Sequence, residues 1–377
     1  MHRKVCRWPV PTGLIRSNTS ASRRSVRPEA LARLAASAMQ RVLFGFAWAC
    51  CLVTAPADAA APEKAKVVLA VGGQAALYYL PLTLADRLGY FKDEGLDVEI
   101  NDFSGGSRSL QALIGHSADV VAGAYEHTIV MQTLAQKVQA FVLQGVNPGL
   151  ELGIRTDRAA GYSWPRDLKG MTIGVSAPGS STHMLVNHLL ASVGLTPDDV
   201  SIVGVGTGPV AVAAIRTGKI DALSSGEPVM SLLERSGDIK IVVETITDKG
   251  VREVFGGSMP AATLYSRIDF IEKNPNTIQA LTNAMVRALL WLQHHSTEDV
   301  LQVVPEEYLM GDRAVYASAF ERLRGTYSKD GLIPKKGVEN SYKVLLAHNG
   351  AVRRAPVVWI NQTYTNAFVE KALQKYR

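Results

Sequence analysis

Short apolar runs alternate with amphipathic segments along most of the chain. Lys66 to Val71 and Leu96 to Ile100 have the length of buried strands, and Leu77 to Leu88 and Ser107 to Ile114 repeat apolar residues at helical spacing. The same order of segments returns from Met171 to Val243. Strands that alternate with helices indicate βαβ units, so the pattern predicts an α/β protein whose sheets are mainly parallel.

Two stretches, Phe103 to Glu126 and Val205 to Pro228, read alike at a constant offset of 102 positions. In each, a glycine-rich turn follows an apolar run, a helical segment comes next, and an acid, Asp119 or Asp221, opens a second strand. The repeat predicts two lobes of one design. A cleft walled by strand ends and helix starts is where such sheets bind ligands.

The connections between the two lobes follow from the order of the segments. We expect the chain to leave the first lobe near Arg155 and to return near Pro260 through a strand from Ala262 to Tyr265. The first lobe then comprises residues 60–155 and 260–377, and the second lobe comprises residues 156–259.

Two connections between lobes form a hinge, because a few backbone rotations there can move one lobe against the other. Gly153 and Gly256-Gly257 are placed to absorb such rotations. The region after the return strand is mostly helical, most clearly from Thr277 to His294, and forms a C-terminal extension.

The first 59 residues differ in composition from the rest. They hold nine of the 40 Lys and Arg residues and two of the 34 acids, so residues 60–377 keep 31 basic and 32 acidic side chains and offer no basic face for nucleic acid. Met39-Gln40-Arg41, an apolar stretch to Val53 and Ala57-Asp58-Ala59 follow the order of a secretory signal peptide cleaved after Ala59. Either translation starts at Met39, or residues 1–38 extend the targeting leader.

All three cysteines, Cys6, Cys50 and Cys51, lie in this leader. The expected mature chain therefore has no disulfide, no thiolate nucleophile and no cysteine metal site, and it tolerates an oxidising compartment. Lipid attachment at Cys50 is the alternative, although Trp48 and Ala49 fit such a signal poorly.

Residues 85–98, which read ADRLGYFKDEGLDV, form the most recognisable motif of the chain. Further motifs are Gly105-Gly106-Ser107, Gly115 to Asp119, Asp167 to Val175, Gly179-Ser180-Ser181, Leu195 to Val200 and Gly218 to Ala222. Together they resemble periplasmic solute-binding proteins of ABC importers, of the nitrate, sulfonate, taurine and thiamine-precursor (NMT1/THI5-like) type. The resemblance covers roughly residues 66–260.

This resemblance implies the type II periplasmic binding protein fold, in which two lobes close on a small solute. It implies delivery of that solute to the permease and ATPase subunits of an ABC importer. We expect a periplasmic monomer that has no cofactor, no metal and no enzymatic activity. A ligand sensor without a transport role is compatible with the same sequence.

Glycine and hydroxyl residues mark three of the predicted helix starts. Gly179, Ser180, Ser181 and Thr182 lie between a strand and a helix, where free N–H groups and the positive end of the helix dipole favour anions. An N-terminal cap is the alternative role for these hydroxyls. The corresponding turns contain Gly105, Gly106, Ser107 and Thr207, although turn formation alone would explain their glycines.

Aromatic residues of the first turn complete one wall of the predicted site. Gln74, Tyr78 and Tyr79 resemble the family's loop that lays an aromatic ring over the ligand. We expect one of the two tyrosines to face the ligand and the other to lie in the core.

Acidic residues follow the third strand of each predicted lobe. Tyr125 and Glu126 close the strand of the first lobe, and Glu227 occupies the matching position in the second. A carboxylate there can accept hydrogen bonds from an amine or a ring N–H. For Glu227, capping of the helix that Pro228 begins is an equal alternative. If an anion-binding helix start and Glu227 both contact the same ligand, that ligand would carry a negative group and a hydrogen-bond donor, as an aminosulfonate does.

Two enzymatic hypotheses find little support. A hydrolase built on Ser180 or Ser181 with His183 lacks the nucleophile-elbow pattern. The resemblance implies that the pyrimidine-synthesising enzymes of the same superfamily depend on a cysteine-rich segment, and the expected mature chain has no cysteine.

A metal site at His294-His295 is not supported either, because no further ligand lies at metal-binding spacing from this pair.

Overall fold

Two five-stranded sheets, each flanked by helices, form the folded part of the chain. The computed structural model describes residues 61–163 and 165–377; the expected signal peptide, its cleavage site and the three cysteines lie outside these residues. The strands are β1 (Lys66–Val71), β2 (Asp97–Asp102), β3 (Val120–Ala124), β4 (Val138–Leu143), β5 (Leu150–Arg155), β6 (Thr172–Val175), β7 (Ser201–Gly204), β8 (Ala222–Gly226), β9 (Ile239–Glu244) and β10 (Ala262–Arg267).

Helices fill most of the remaining described chain. They are α1 (Leu80–Arg87), α2 (Tyr90–Asp93), α3 (Gly106–Ile114), α4 (Glu126–Thr133), α5 (Ser181–Ser192), α6 (Pro209–Arg216), α7 (Val229–Arg235), α8 (Asp248–Phe255), α9 (Ile268–Lys273), α10 (Pro275–His294), α11 (Thr297–Val303), α12 (Arg313–Leu323), α13 (Lys335–His348), α14 (Gly350–Arg354) and α15 (Ala367–Tyr376). None of the described helices is both long and apolar enough to cross a membrane.

The first sheet has the strand order β2-β1-β3-β10-β4. β1 pairs in parallel with β2 and β3, and β10 pairs antiparallel with β3 and β4. Four strands thus share one direction and β10 opposes them. Every residue of β3 is buried, because helices cover both faces of the sheet.

The second sheet repeats this plan with the order β7-β6-β8-β5-β9. β6 pairs in parallel with β7 and β8, and β5 runs antiparallel to β8 and β9. The predicted α/β fold with two lobes is confirmed, although each sheet is mixed rather than simply parallel.

Asp119 and Asp221, the two acids of the sequence repeat, make the same kind of hydrogen bond to equivalent strands of the two sheets. Oδ2 of Asp119 accepts the N–H of Val68 at 2.9 Å, and Oδ2 of Asp221 accepts the N–H of Thr172 at the same distance. Each carboxylate satisfies the free donor at the start of its sheet's central parallel pair. The sequence repeat therefore reflects a shared requirement of backbone hydrogen bonding.

The predicted first-lobe boundary at Arg155 is corrected by the pairing of β5. Leu152 pairs with Ser224 of β8 and with Val243 of β9, so β5 belongs to the second sheet. The chain crosses between the sheets at residues 144–149, and it crosses back at residues 256–261. Gly153 lies inside a paired strand and is not a hinge, whereas Gly256 ends α8 in the left-handed conformation.

The C-terminal helices do not form a separate layer. α10 packs on α1, α2 and α15 beside the first sheet. α13 contacts α4 of the first lobe and α5 of the second, and its Leu345 and Val344 enter the cores of the first and second lobes. The predicted helical extension is confirmed, and α13 joins both lobes.

The turn after β1 leaves no room for a side chain, which gives a test of the packing. A Cβ added at Gly72 would overlap the backbone of Gly105 and Gly106. We expect Gly72→Ala to lower the free energy of unfolding by about 3 kcal/mol, the upper range for overpacking. Urea unfolding followed by circular dichroism measures the change. Gly325→Ala, where a Cβ meets open space, is the matched control, and equal losses in both variants would contradict the packing.

Candidate ligand-binding cleft

The two lobes meet at a seam where two helix starts face each other. The N–H of Ser107, at the start of α3, donates to Oγ of Ser180 at 3.0 Å, just before α5. The hydroxyl of Ser107 donates to the carbonyl of Pro178 at 2.9 Å, and Ser180 donates back to Ser107 at 3.3 Å. The lobes are therefore closed, and Ser180 itself occupies the donor at the facing helix start.

Glycines make this close approach possible. A Cβ at Gly105 would lie 2.9 Å from the Cβ of Ala177 in the other lobe. Gly73 has φ of +97°, and a Cβ there would collide with Thr207. At both positions a side chain would hold the lobes apart, so these glycines serve closure as well as turn formation.

Two small cavities remain inside the seam. The first, which we call the tyrosine cavity, has a volume of about 30 Å³ and is lined by Tyr78, Tyr79, Gly106, Ser176, Thr207 and Ser225, among others. The second, the glutamate cavity, has about 20 Å³ and includes Glu126, Met184, Phe255, Met259 and His348 in its wall. Each has room for one or two water molecules.

Tyr78, Leu150 and Ser181 line both cavities, which are therefore neighbours. Tyr78 and Tyr79 stack edge to face with ring centroids 4.8 Å apart. Burial raises the pKa of both phenols, so they are neutral donors. Tyr79 lies in the first-lobe core, as expected for one of the pair, and both tyrosines also line the tyrosine cavity.

Glu126 is the first residue of α4 and is only 5% exposed. Burial raises the pKa of its carboxyl to about 7. Among the described residues no Lys or Arg lines either cavity, so the glutamate faces the seam without a cationic partner. A carboxyl held in this way is suited to accept hydrogen bonds from a donor that enters the cleft.

His127 follows Glu126 and crosses the seam. Its Nε2 lies 3.3 Å from the carbonyl of Gly179, and its Nδ1 lies 3.1 Å from the hydroxyl of Tyr265. Burial lowers its pKa to about 4, so the ring is neutral near pH 7. His127 therefore joins the lobes without adding charge.

The four residues of the predicted anion-binding turn before α5 have different roles in the structure. Ser181 faces both cavities. Thr182 lines the tyrosine cavity, but its hydroxyl bonds to Ser176, accepting the backbone N–H at 3.0 Å. Gly179 accepts from the other lobe, and its N–H donates to Nδ1 of His183 at 2.9 Å. Of the four residues, only Ser181 offers a side chain that reaches both cavities.

Gln74 and Tyr125 lie outside both cavity walls. The backbone N–H of Gln74 donates to Asp102 at 2.9 Å, which fixes the first turn. Tyr125 is fully buried in the first-lobe core, with its hydroxyl 2.5 Å from Oγ1 of Thr363. Tyr125 therefore packs in the core where a ligand residue was expected, and Glu126, the first residue of α4, faces the cleft instead.

Glu227 also turns away from both cavities. Its carboxylate accepts from the backbone N–H of Ser231 at 2.8 Å and from Arg322 at 2.5 Å. This is the capping role that was the alternative, with a cation from α12 added. Glu227 thus contacts the first lobe twice, since its carboxylate accepts from Arg322 and its backbone carbonyl accepts the N–H of Leu77 at 3.0 Å.

Arg322 joins two buried carboxylates of the second lobe. It donates to Glu151 at 2.6 Å as well as to Glu227, and both glutamate side chains are fully buried. Burial and the neighbouring Glu227 raise the pKa of Glu151 to about 8, although Arg322 opposes this. The cluster fixes α12 to the second sheet.

Several wall residues were not anticipated from the sequence. Ser176 follows β6, and Ser225 lies near the end of β8. The small residues at the ends of these two strands are the sequence feature that could have identified them. Val344, Leu345 and His348 come from α13, far along the chain, and no local pattern marks them. No cluster of three or more His, Cys, Asp or Glu that could hold a metal occurs in residues 61–163 and 165–377.

Comparison with known proteins identifies the family. The model of the family described as NMT1/THI5 like matches residues 76–298. The chain belongs to the NMT1/THI5-like family. The family resemblance seen in the sequence is thereby confirmed.

Curated relatives include proteins of two kinds. The putative binding protein YtlA of Bacillus subtilis (strain 168) is 26% identical over 265 residues, which cover 69% of this chain and 77% of the relative. A 4-amino-5-hydroxymethyl-2-methylpyrimidine phosphate synthase of Candida albicans (strain WO-1) is 28% identical over 244 residues, which cover 62% and 69%. Nitrate/nitrite-binding and aliphatic sulfonate-binding proteins also match.

Solved structures agree with the fold. A protein of Bordetella bronchiseptica RB50 is 50% identical, with a TM-score of 0.81 and coverage of 84% of this chain and 99% of that one. The alkanesulfonate-binding protein SsuA of Xanthomonas axonopodis pv. citri, solved with MOPS, is 18% identical, with a TM-score of 0.61 and coverage of 81% and 99%. The family's periplasmic binding protein fold is therefore the fold of this chain.

The Arg322 cluster gives a prediction for stability. Arg322→Met leaves Glu151 and Glu227 buried beside each other without a cation, so we expect the free energy of unfolding at pH 7 to fall by about 2–4 kcal/mol. Urea unfolding measures it. Arg313→Met removes an exposed pair with Glu298, which contributes about 0–1 kcal/mol, and serves as the control. Equal effects of the two variants would contradict the cluster's role.

The pKa of Glu126 gives a second prediction. The folded chain holds this proton more tightly than the unfolded chain, whose pKa is near 4.5, so the contribution to stability falls as the pH rises from 4.5 to about 7. We expect Glu126→Gln to gain about 3 kcal/mol relative to wild type across that range. Unfolding titrations at several pH values measure the difference.

The control for this pH dependence is Glu253→Gln, because the Glu253 side chain is 65% exposed. Its stability should follow the wild-type curve at every pH. Parallel curves for Glu126→Gln and wild type would show that Glu126 ionises as freely in the folded chain as in the unfolded one.

Proposed function

We propose that this protein is the extracytoplasmic substrate-binding subunit of an ABC importer, which captures a small nitrogen- or sulfur-containing solute by closure of its two lobes. The family, the fold and relatives named as nitrate-, sulfonate- and other binding proteins support this proposal. Permease and ATPase subunits are the partners that it implies, since a relative is named a nitrate import ATP-binding protein. The chain then acts outside the cytoplasmic membrane.

One observation carries the choice of solute. Glu126 lies buried at the seam, and no Lys or Arg among the described residues lines the cavities around it. A ligand that brings an N–H donor can bond to this carboxyl, whose charge no Lys or Arg of the described cavity walls balances. Nitrate carries no donor, so we propose an amine or ring N–H solute, for example taurine or an aminopyrimidine, rather than nitrate itself.

The sulfonate of an aminosulfonate would lie at the facing helix starts. The N–H of Ser107 and the hydroxyl of Ser180 now bond to each other across the seam. An anion entering there would replace a protein hydroxyl at the positive end of α3. In this arrangement the amine of the solute bonds to Glu126 and its sulfonate bonds to the helix start. A single solute would then account for a buried carboxyl and an anion-binding helix start at the same seam.

The closed cavities are too small for such a solute. Volumes of about 30 and 20 Å³ accommodate water only, so a ligand must enter while the lobes are apart and widen the seam as they close. The connections at residues 144–149 and 256–261 are where the backbone can bend. Binding energy is then released only when both lobes contact the solute.

A pyrimidine phosphate synthase is the second candidate, because relatives of that name match the chain. Residues 60–377 contain no cysteine, whereas the family resemblance implies a cysteine-rich segment for those enzymes. We therefore propose reversible binding without conversion of the solute.

Calorimetry with taurine, alkanesulfonates, nitrate, aromatic acids and aminopyrimidines tests the proposal. We expect a donor-bearing solute to bind and Glu126→Gln to weaken its binding by about 10- to 100-fold, since a hydrogen bond to a charged group contributes about 1.5–3 kcal/mol. Glu253→Gln is the matched control and should bind as wild type does. Recovery of the solute unchanged after release excludes turnover.

Two results would reject the proposal. One is tight binding of nitrate that Glu126→Gln leaves unaltered, because the carboxyl would then not contact the ligand. The other is a product that accumulates with time during incubation with the purified chain.

A further inference from the structure

A larger chamber lies beside the closed seam and outside the two small cavities. Its volume is about 690 Å³, within the range of about 300–1,000 Å³ that small-molecule sites occupy. The first lobe contributes α3 and α4, the second lobe contributes α5 and the turn before it, and α13 with the start of α14 closes one end. We call it the outer chamber.

The outer chamber is separated from the glutamate cavity by two shared side chains. Met184 and His348 line both spaces. Adjacent residues of α4 face different sides, since Glu126 lines the glutamate cavity and His127 lines the outer chamber. The chamber thus borders the proposed solute site, and Ser107, at the helix start proposed for the sulfonate, also lines the chamber.

The wall of the outer chamber carries no charge. Of the described residues that line it, none is Asp, Glu, Lys or Arg. Its apolar members include Leu110, Ile114, Val130, Met131, Leu134 and Met184. Burial lowers the pKa of His127, His183 and His348, so the three imidazoles of the wall are neutral near pH 7. A charged ligand would lose its hydration here without compensation.

Two acceptors of the wall lack a hydrogen-bond partner. Oδ1 of Asn187 and Nε2 of His348 are both buried and unbonded. Nδ1 of His348 lies 3.0 Å from the carbonyl of Val344, which can only accept, so Nδ1 carries the proton and Nε2 is an acceptor. Both atoms are shielded from solvent, so a ligand donor in the chamber reaches them only after the Asn187 or His348 side chain moves, and the bond would then satisfy an acceptor that the closed fold leaves unbonded.

An exposed apolar residue marks the rim. Leu134 is 56% exposed at the end of α4, although it is one of the chamber's lining residues. Large apolar side chains at the mouth of a mainly apolar space favour entry of an apolar molecule.

We propose that the outer chamber is a second ligand-binding site, for an uncharged and mainly apolar small molecule that carries a hydrogen-bond donor. Its walls come from α3 and α4 in one lobe and α5 in the other, so the site is complete only when the lobes are closed. A molecule bound there therefore stabilises the closed state independently of the imported solute.

Fluorescence titration with N-phenyl-1-naphthylamine tests this site, because that probe is neutral, apolar and has one N–H. We expect saturable binding of one molecule per chain in the micromolar range. Gln111→Trp and Gln136→Trp place an indole in the chamber from exposed lining positions and should each weaken binding at least tenfold. Gln374→Trp, on the exposed face of α15, is the matched control and should bind as wild type does.

Chemical specificity and closure give two further readouts. 1-Phenylnaphthalene, which lacks the N–H, should compete at least tenfold more weakly than the probe. The radius of gyration from X-ray scattering should fall or stay the same when the probe is bound. Unaltered binding in both lining variants, equal loss in Gln374→Trp, or a larger radius in the bound state would overturn the proposal. These outcomes do not depend on which solute the cleft imports.

Discussion

The approach of two helix starts across the seam determines the rest of the site. Ser107 of one lobe and Ser180 of the other are joined by hydrogen bonds, and glycine at positions 73 and 105 lets the backbones come this close. Closure at this distance leaves two small cavities, one beside the tyrosine pair and one beside Glu126. The same closure creates the outer chamber. A change in the width of the seam would therefore alter every candidate site at once.

Three buried glutamates near the seam illustrate how context decides the role of one residue type. Glu151 and Glu227 share Arg322, which comes from α12, and therefore serve the structure. Among the described residues no Lys or Arg lines the cavities at Glu126, and burial raises the pKa of its carboxyl to about 7. A buried carboxyl that the described fold leaves without a cation is a better candidate for ligand recognition than one that it has already paired with an arginine.

Much of the fold could be predicted from hydrophobic periodicity, since the segments Lys66 to Val71, Leu96 to Ile100 and Ala262 to Tyr265 form β1, β2 and β10 with small differences at their ends. β5 was missed because Glu151 and Gly153 interrupt its apolar residues, and the reason for that glutamate, Arg322, lies 171 positions away. The site was harder to predict. Strand ends identified Glu126 and Ser181, but the sequence could not distinguish Glu126 from Tyr125 or decide between the ligand and capping roles of Glu227. The walls from α13 depend on long-range packing that no local pattern encodes.

The placement of β10 has a consequence for how the chain folds. The first sheet has β10 between β3 and β4, yet β10 follows the whole second sheet in the sequence. During synthesis, β3 and β4 must wait for more than a hundred intervening residues before their shared neighbour exists. Pairings over such separations form slowly. The first half of the chain thus stays incomplete until synthesis is well past its midpoint, because the strand that joins β3 to β4 is the last of the ten described strands to be made.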